Sequence, residues 1–146
     1  MTVKRLPILA ALFLLVGTAG TALAGDTDAD PVQARYSPAY DQCLESPEGQ
    51  STAGMIGCIG EELTVQDKAL NAAYARAMGD LNDRQKARLR AAQRAWLAFR
   101  DADCASRQDE DWGTLSRITA NACVLRRTVE RTIDLEGYPE PGDTDE

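Results

Sequence analysis

The sequence predicts an all-α fold, a small up-down bundle of three main helices fastened by two disulfides. Three observations carry this expectation. Apolar residues recur at three- and four-residue steps through three long segments, the pattern of helices with one buried face. No run alternates apolar and polar residues as a half-buried strand would. Four cysteines, an even number, follow an export-type N-terminus, the setting in which disulfides form and persist.

Lys4 and Arg5 precede an apolar run from Leu6 to Val16, and small residues lead on to Ala22-Leu23-Ala24. This order reads as a secretory signal peptide over 1–24, cleaved after Ala24. The apolar run falls short of the ~20 residues of a spanning helix, and no Cys at the cleavage point marks the chain for lipidation. The expected product is exported to the periplasm or the extracellular space. Residues 25–39, with Asp26, Asp28, Asp30, Pro31 and Pro38, read as a flexible leader. The helical domain is expected over 40–136 and an acidic tail over 137–146.

Within the domain, Ser46-Pro47-Glu48-Gly49 signals a turn, preceded by a short helical turn around Cys43. From Ser51, a candidate N-cap, Met55, Ile59, Leu63, Leu70, Tyr74, Met78 and Leu81 mark a helical face, with Gln66 bridging one gap. Gly54, Gly57 and Gly60 each cost up to ~1 kcal/mol there and weaken its first two turns. Asn82 and Gln85 form a capping-box pattern for a second helix. Its face runs through Leu89, Ala92, Trp96 and Phe99 or Arg100 to Cys104. After Asp109-Glu110-Asp111 and Gly113, a third helix is expected with Thr114 as its cap. Leu115, Ile118, Ala122, Leu125, Val129 and Ile133 form its buried face, and Gly137 and Pro139 end it.

Cys43, Cys58, Cys104 and Cys123 allow three pairings. The sequential one, Cys43–Cys58 with Cys104–Cys123, is preferred. It would pin the N-terminal segment to the first long helix and tie the second helix to the third across the acidic loop.

Catalysis is hard to place. The chain has no histidine, which removes His-based triads and a neutral-pH His base. Oxidised cysteines are not nucleophiles, and the contexts of phosphate-binding glycine loops are missing. Asp101 and Asp103 do not converge on a helix, and Asp109-Glu110-Asp111 lacks the ligand ladder of a calcium loop. The expectation is no catalytic residue, no metal and no cofactor. The net charge of −7 becomes −9 once the two basic residues of the signal are gone, which disfavours nucleic acid and anionic lipid as partners. That charge is uneven. Residues 25–62 sum to −7 and 136–146 to −5, whereas 83–106 sum to +3 and 112–135 to +2. Acidic ends thus flank a mildly basic helical body.

The densest segment runs from Gln93 to Cys104. Trp96 and Arg100 are i,i+4 neighbours, so the guanidinium can lie on the indole, and both are residue types that dominate binding hot spots. The plainer reading, and the preferred one, is that Trp96 is the largest core side chain.

Ala92-Gln93-Arg94-Ala95-Trp96-Leu97-Ala98-Phe99-Arg100-Asp101-Ala102-Asp103-Cys104 resembles the signature of the lysozyme inhibitor LprI-like N-terminal domain family, long catalogued as a domain of unknown function. Leu70-Asn71-Ala72-Ala73-Tyr74 is similar to its L-N-x-x-Y element. Cys123, Thr128 and Arg131 match its C-x(4)-T-x-x-R ending, and Cys43 and Cys58 its N-terminal pair. The resemblance spans about 43–135. It implies an exported helical domain with paired cysteines and, from the named member, inhibition of lysozyme. Tyr74, Gln93, Arg94, Trp96, Arg100 and Asp101 are the candidate binding residues. The expected partner is a protein, a basic lysozyme-type muramidase; an envelope interaction module with a different protein partner is the alternative.

Overall fold

The computed structural model describes residues 30–138; the signal peptide, its cleavage point and the tail from residue 139 on lie outside them. Four α-helices follow in order: α1 (Pro38–Glu45), α2 (Thr52–Gly79), α3 (Asp83–Ala105) and α4 (Gly113–Glu136). A 3₁₀ turn at Gln33–Arg35 precedes α1, and others at Glu48–Gln50 and Glu110–Trp112 link α1 to α2 and α3 to α4; no strand occurs among the described residues.

The three long helices are those expected; α1 corrects the count to four. Its start has a local cause. Ser37 accepts a hydrogen bond from the Tyr40 N–H, and Pro38 sits at the first helical position, where its missing N–H costs nothing. Residues 30–37, read from sequence as leader, pack on the body instead. Val32 is buried, Asp30 pairs with Arg126 at 2.8 Å, and Arg35 grips Glu136 with both terminal nitrogens.

A buried polar knot completes this attachment. Glu62 of α2, only 2% exposed, accepts from the Ser37 N–H at 3.0 Å and the Ser37 hydroxyl at 2.5 Å. It also accepts from the Gln66 amide at 2.6 Å, while that amide donates to the Arg35 carbonyl at 2.7 Å. Every donor around the carboxylate is thereby used, the condition for a polar group to sit in the interior.

Helix α2 begins at its Ser51 cap. Two of the glycines near it permit a close approach of backbone. A Cβ on Gly54 would lie 1.8 Å from the Glu48 carbonyl oxygen, and one on Gly49 2.0 Å from that of Cys43. Helix α3 opens on the Asn82/Gln85 capping box. Helix α4 departs from expectation at its start: Thr114 is not its cap. Ser116 bonds instead to the carbonyls of Asp109 and Gly113, and Gly113 adopts φ +60°, a conformation that favours glycine.

The core is built from small and branched side chains. Leu70, Ala73, Ala77 and Leu81 enclose Leu89 of α3 and Leu135 of α4, with Tyr74, Met78, Trp96 and Tyr138 packed around them. Tyr138, assigned from sequence to the tail, thus belongs to the body. Ala73 and Ala77 are fully covered, letting α2 and α4 approach closely over their length, whereas α3 rests on α4 and barely meets α2. The buried line of α4 also differs from expectation. Leu115 is 66% exposed, and Ser116, Ala120, Thr128 and Thr132 are buried. The Thr128 and Thr132 hydroxyls donate to carbonyls one turn back, so these polar residues enter the core without an unmet bond.

The disulfides join Cys43 to Cys58 and Cys104 to Cys123. Separations of 15 and 19 residues correspond to about 3 kcal/mol each in the chain-entropy account. One fastens α1 to α2; the other fastens the end of α3 to α4.

Candidate functional site

Because α3 leans on α4, a groove opens between α3 and α2. It has a volume of about 490 Å³ with Leu70 at its base. Asp67, Asn71 and Tyr74 line it from α2; Arg90, Gln93, Arg94, Leu97 and Arg100 line it from α3. Three guanidiniums thus face one carboxylate. Arg90 and Arg94 are exposed and make no ion pair among the described residues.

The opposite edge of α3 is a joint rather than an opening. Trp96 is half-buried against the core and meets two guanidiniums, with Arg100 at 5.3 Å and Arg131 at 6.0 Å from its ring centroid. Arg131 donates from Nε to the Gln93 side-chain oxygen at 3.0 Å. Arg100 donates to the Thr128 hydroxyl at 3.4 Å and to Asp101 at 2.9 Å. Cation–π contacts of this kind contribute ~0.5–2 kcal/mol each, the larger values where water is excluded. Farther along, Arg127 lies 5.7 Å from the Phe99 ring and bonds Asp103 and Glu130. Phe99 is 54% exposed, so Arg100 and not Phe99 continues the α4-facing edge.

The structure sorts the sequence candidates into two groups. Tyr74, Gln93, Arg94 and Arg100 line the groove; Trp96 serves the joint, together with Gln93 and Arg100, which border both. Asp101 is exposed and paired with Arg100. Asn71, Asp67, Arg90 and Leu97 belong to the groove as well. Asn71 carried a signal through its place in the Leu70–Tyr74 element, whereas nothing local in the sequence singles out Asp67 or Arg90.

Asp103, Cys104 and Cys123 place one oxygen and two sulfurs within 4.8 Å of one another, but both sulfurs are committed to a disulfide and offer no thiolate. The charge partners of the N-terminal segment behave as ion pairs should. The hydrogen bond from Arg126 holds the Asp30 carboxyl below its usual range, and that from Arg35 does the same for Glu136.

What these residues make is a helical body cross-linked at two points, with a groove between α2 and α3 whose α3 wall is basic. The family model described as lysozyme inhibitor LprI matches residues 43–135, and the chain belongs to that family. The match covers α2 and α3 entirely, α4 up to Leu135 and the end of α1 from Cys43 on, and it includes both disulfides. No curated protein and no solved structure matches the chain. No helix among the described residues is long and apolar enough to cross a membrane.

Proposed function

We propose that this chain is an exported binding protein that restrains a lysozyme-type muramidase by direct contact rather than by catalysis. The observation that carries the reading is the family match, which runs from the first cysteine to the last turn of α4. Export follows from the N-terminal pattern, with the signal removed after Ala24, and two disulfides suit that compartment.

The groove supplies the contact chemistry. Glycosidases hold paired carboxylates beside the scissile bond, and a guanidinium pairs with a carboxylate in a bidentate, directional way. Arg90 and Arg94, flanked by Tyr74 and Gln93, present that chemistry to a partner. Trp96 and Arg131 act behind them by fixing α3 on α4, which makes them positioning residues.

The test is muramidase turbidity clearance with the oxidised mature chain (25–146). Inhibition is expected at micromolar protein and low salt, and it weakens as ionic strength rises, because exposed charges are screened beyond about 8 Å at 0.15 M. Arg90→Ala with Arg94→Ala weakens it on the order of tenfold or more. A wild-type chain without effect on clearance at low salt rejects the reading.

A further inference from the structure

We propose a second contact element, the turn between α3 and α4, as a knob that docks on a basic protein surface carrying an apolar hollow. Trp112 and Leu115 are 65% and 66% exposed, the largest exposures among the large apolar side chains of the described body. They lie three residues apart, so both side chains stand at the same end of the molecule.

The turn beneath them is built to hold a shape. Asp109 accepts from the Asp111 N–H at 2.8 Å, and the Trp112 N–H donates to the Asp109 carbonyl at 3.2 Å. Ser116, itself buried, ties α4 back to Asp109 and Gly113 at 3.0 and 2.8 Å. The Cys104–Cys123 bridge closes the base. A large aromatic displayed on a pre-ordered frame loses little freedom on binding, which is what makes such residues anchors.

The charge around the knob selects the partner. Asp109, Glu110 and Asp111 form no ion pair among the described residues, and Arg117 is the one cation lining the surface hollow that Asp109 and Glu110 border. Three unpaired carboxylates in succession repel anionic lipid, and they repel a second copy of the same turn. They attract a basic protein and raise its rate of encounter. The occupant is therefore a basic muramidase-type enzyme whose cleft accepts an indole; this partner class rests on the inhibitor reading above, while the knob itself rests on the exposed pair and its acidic collar.

The experiment measures binding and inhibition separately, using the oxidised mature chain and a basic c-type lysozyme. Trp112→Ala with Leu115→Ala is expected to weaken binding at least tenfold with an unchanged thermal melt, since neither side chain is in the core. Glu110→Gln with Asp111→Asn flattens the salt dependence of the association rate. Leu115→Ser alone, the mildest change, moves binding in the same direction. Variants that bind as tightly as wild type overturn the knob, even where the wild type inhibits; the inhibitor reading then stands without it. A wild type that binds through Trp112 but leaves clearance unchanged sustains the knob and overturns the inhibitor reading. Absence of binding overturns both. A dimer, or capture by anionic phosphatidylglycerol vesicles, that the double variant abolishes would assign the knob to a different occupant and overturn the proposal.

Discussion

Replacing Glu62 with alanine tests whether the buried knot holds the N-terminal segment to the bundle. The change removes the acceptor of three hydrogen bonds, from the Ser37 N–H, the Ser37 hydroxyl and the Gln66 amide. They are not equal losses. The hydroxyl turns to find another acceptor, and Gln66 keeps the Arg35 carbonyl at 2.7 Å. The Ser37 N–H, at the mouth of α1, has no substitute. Bonds to a charged acceptor contribute ~1.5–3 kcal/mol each, and a buried orphan costs ~1–3 kcal/mol. Against this, alanine relieves the desolvation of a carboxylate that has no cationic partner among the described residues, which trims the total. The net expectation is a loss of about 2–3 kcal/mol, or roughly 8–20 °C in melting temperature for a domain of this size. Glu62→Gln keeps one acceptor but sets an amide group against a donor, and should cost about half as much. Thermal denaturation followed by circular dichroism of the oxidised protein reads the ranking, wild type above Gln above Ala. Trypsin cleavage after Arg35 reads the cause, because the freed segment is cut before the bundle melts. An alanine variant that melts within about 3 °C of wild type, or that is cut at Arg35 no faster, refutes the reasoning.

Two further outcomes follow from the same geometry. Gly54→Ala should destabilise by more than 1 kcal/mol, because its Cβ would fall 1.8 Å from the Glu48 carbonyl oxygen and the 3₁₀ turn has to move. Gly57→Ala meets open space and should stabilise by roughly 0.5–1 kcal/mol; paired denaturant titrations check the opposite signs. On acidification, Asp30 and Glu136 have folded pKa values below their unfolded ones. Their contribution is therefore complete above the unfolded value of about 4 and disappears as pH falls through the lower folded values. The Tyr36 ring, at 5.3 Å from Tyr40, should shift toward its free-chain NMR positions below about pH 4, and Arg126→Ala should move that transition to higher pH. Tyr36 resonances that do not change down to pH 2 contradict the attachment.

Much of the fold is legible in the sequence where one local rule decides. Ser51 and the Asn82/Gln85 pair mark helix starts because capping involves residues three apart. Gln66 reads as an inward position from its spacing alone, and it is buried. The short helical turn expected around Cys43 is α1, and its earlier start at Pro38 was hidden because proline suits a leader and a first helical turn equally well. The rotation of α4 was hidden for another reason. Thr128, Thr132 and Ser116 look like surface residues until their hydroxyls are seen to bond the helix's own carbonyls, while Leu115 looks like core. At the site, the Trp96–Arg100 contact follows from i,i+4 geometry. Arg131 reaching the same ring while bonding Gln93 depends on how α3 meets α4, which no local pattern encodes.

Why the groove stays open can be argued from α3 itself. Leu89, Gln93, Trp96, Arg100 and Cys104 recur at three- and four-residue steps and form one edge of the helix, the edge turned to α4. Shifted by one residue, Arg90, Arg94 and Leu97 form the next edge, the one turned to α2. Only Leu89 and Cys104, toward the two ends, are fully buried. Between them the first edge is held by Trp96, Arg100 and Arg131, whose polar atoms find Thr128, Asp101 and Gln93. The second edge has no such partners, and closing it onto α2 would strip water from two unpaired guanidiniums. Hydration therefore holds the groove apart on one side while stacking and a disulfide hold α3 in place on the other. A one-residue offset in a single helix thus produces both a fixed frame and an accessible surface, the two features that the proposed contact function requires together.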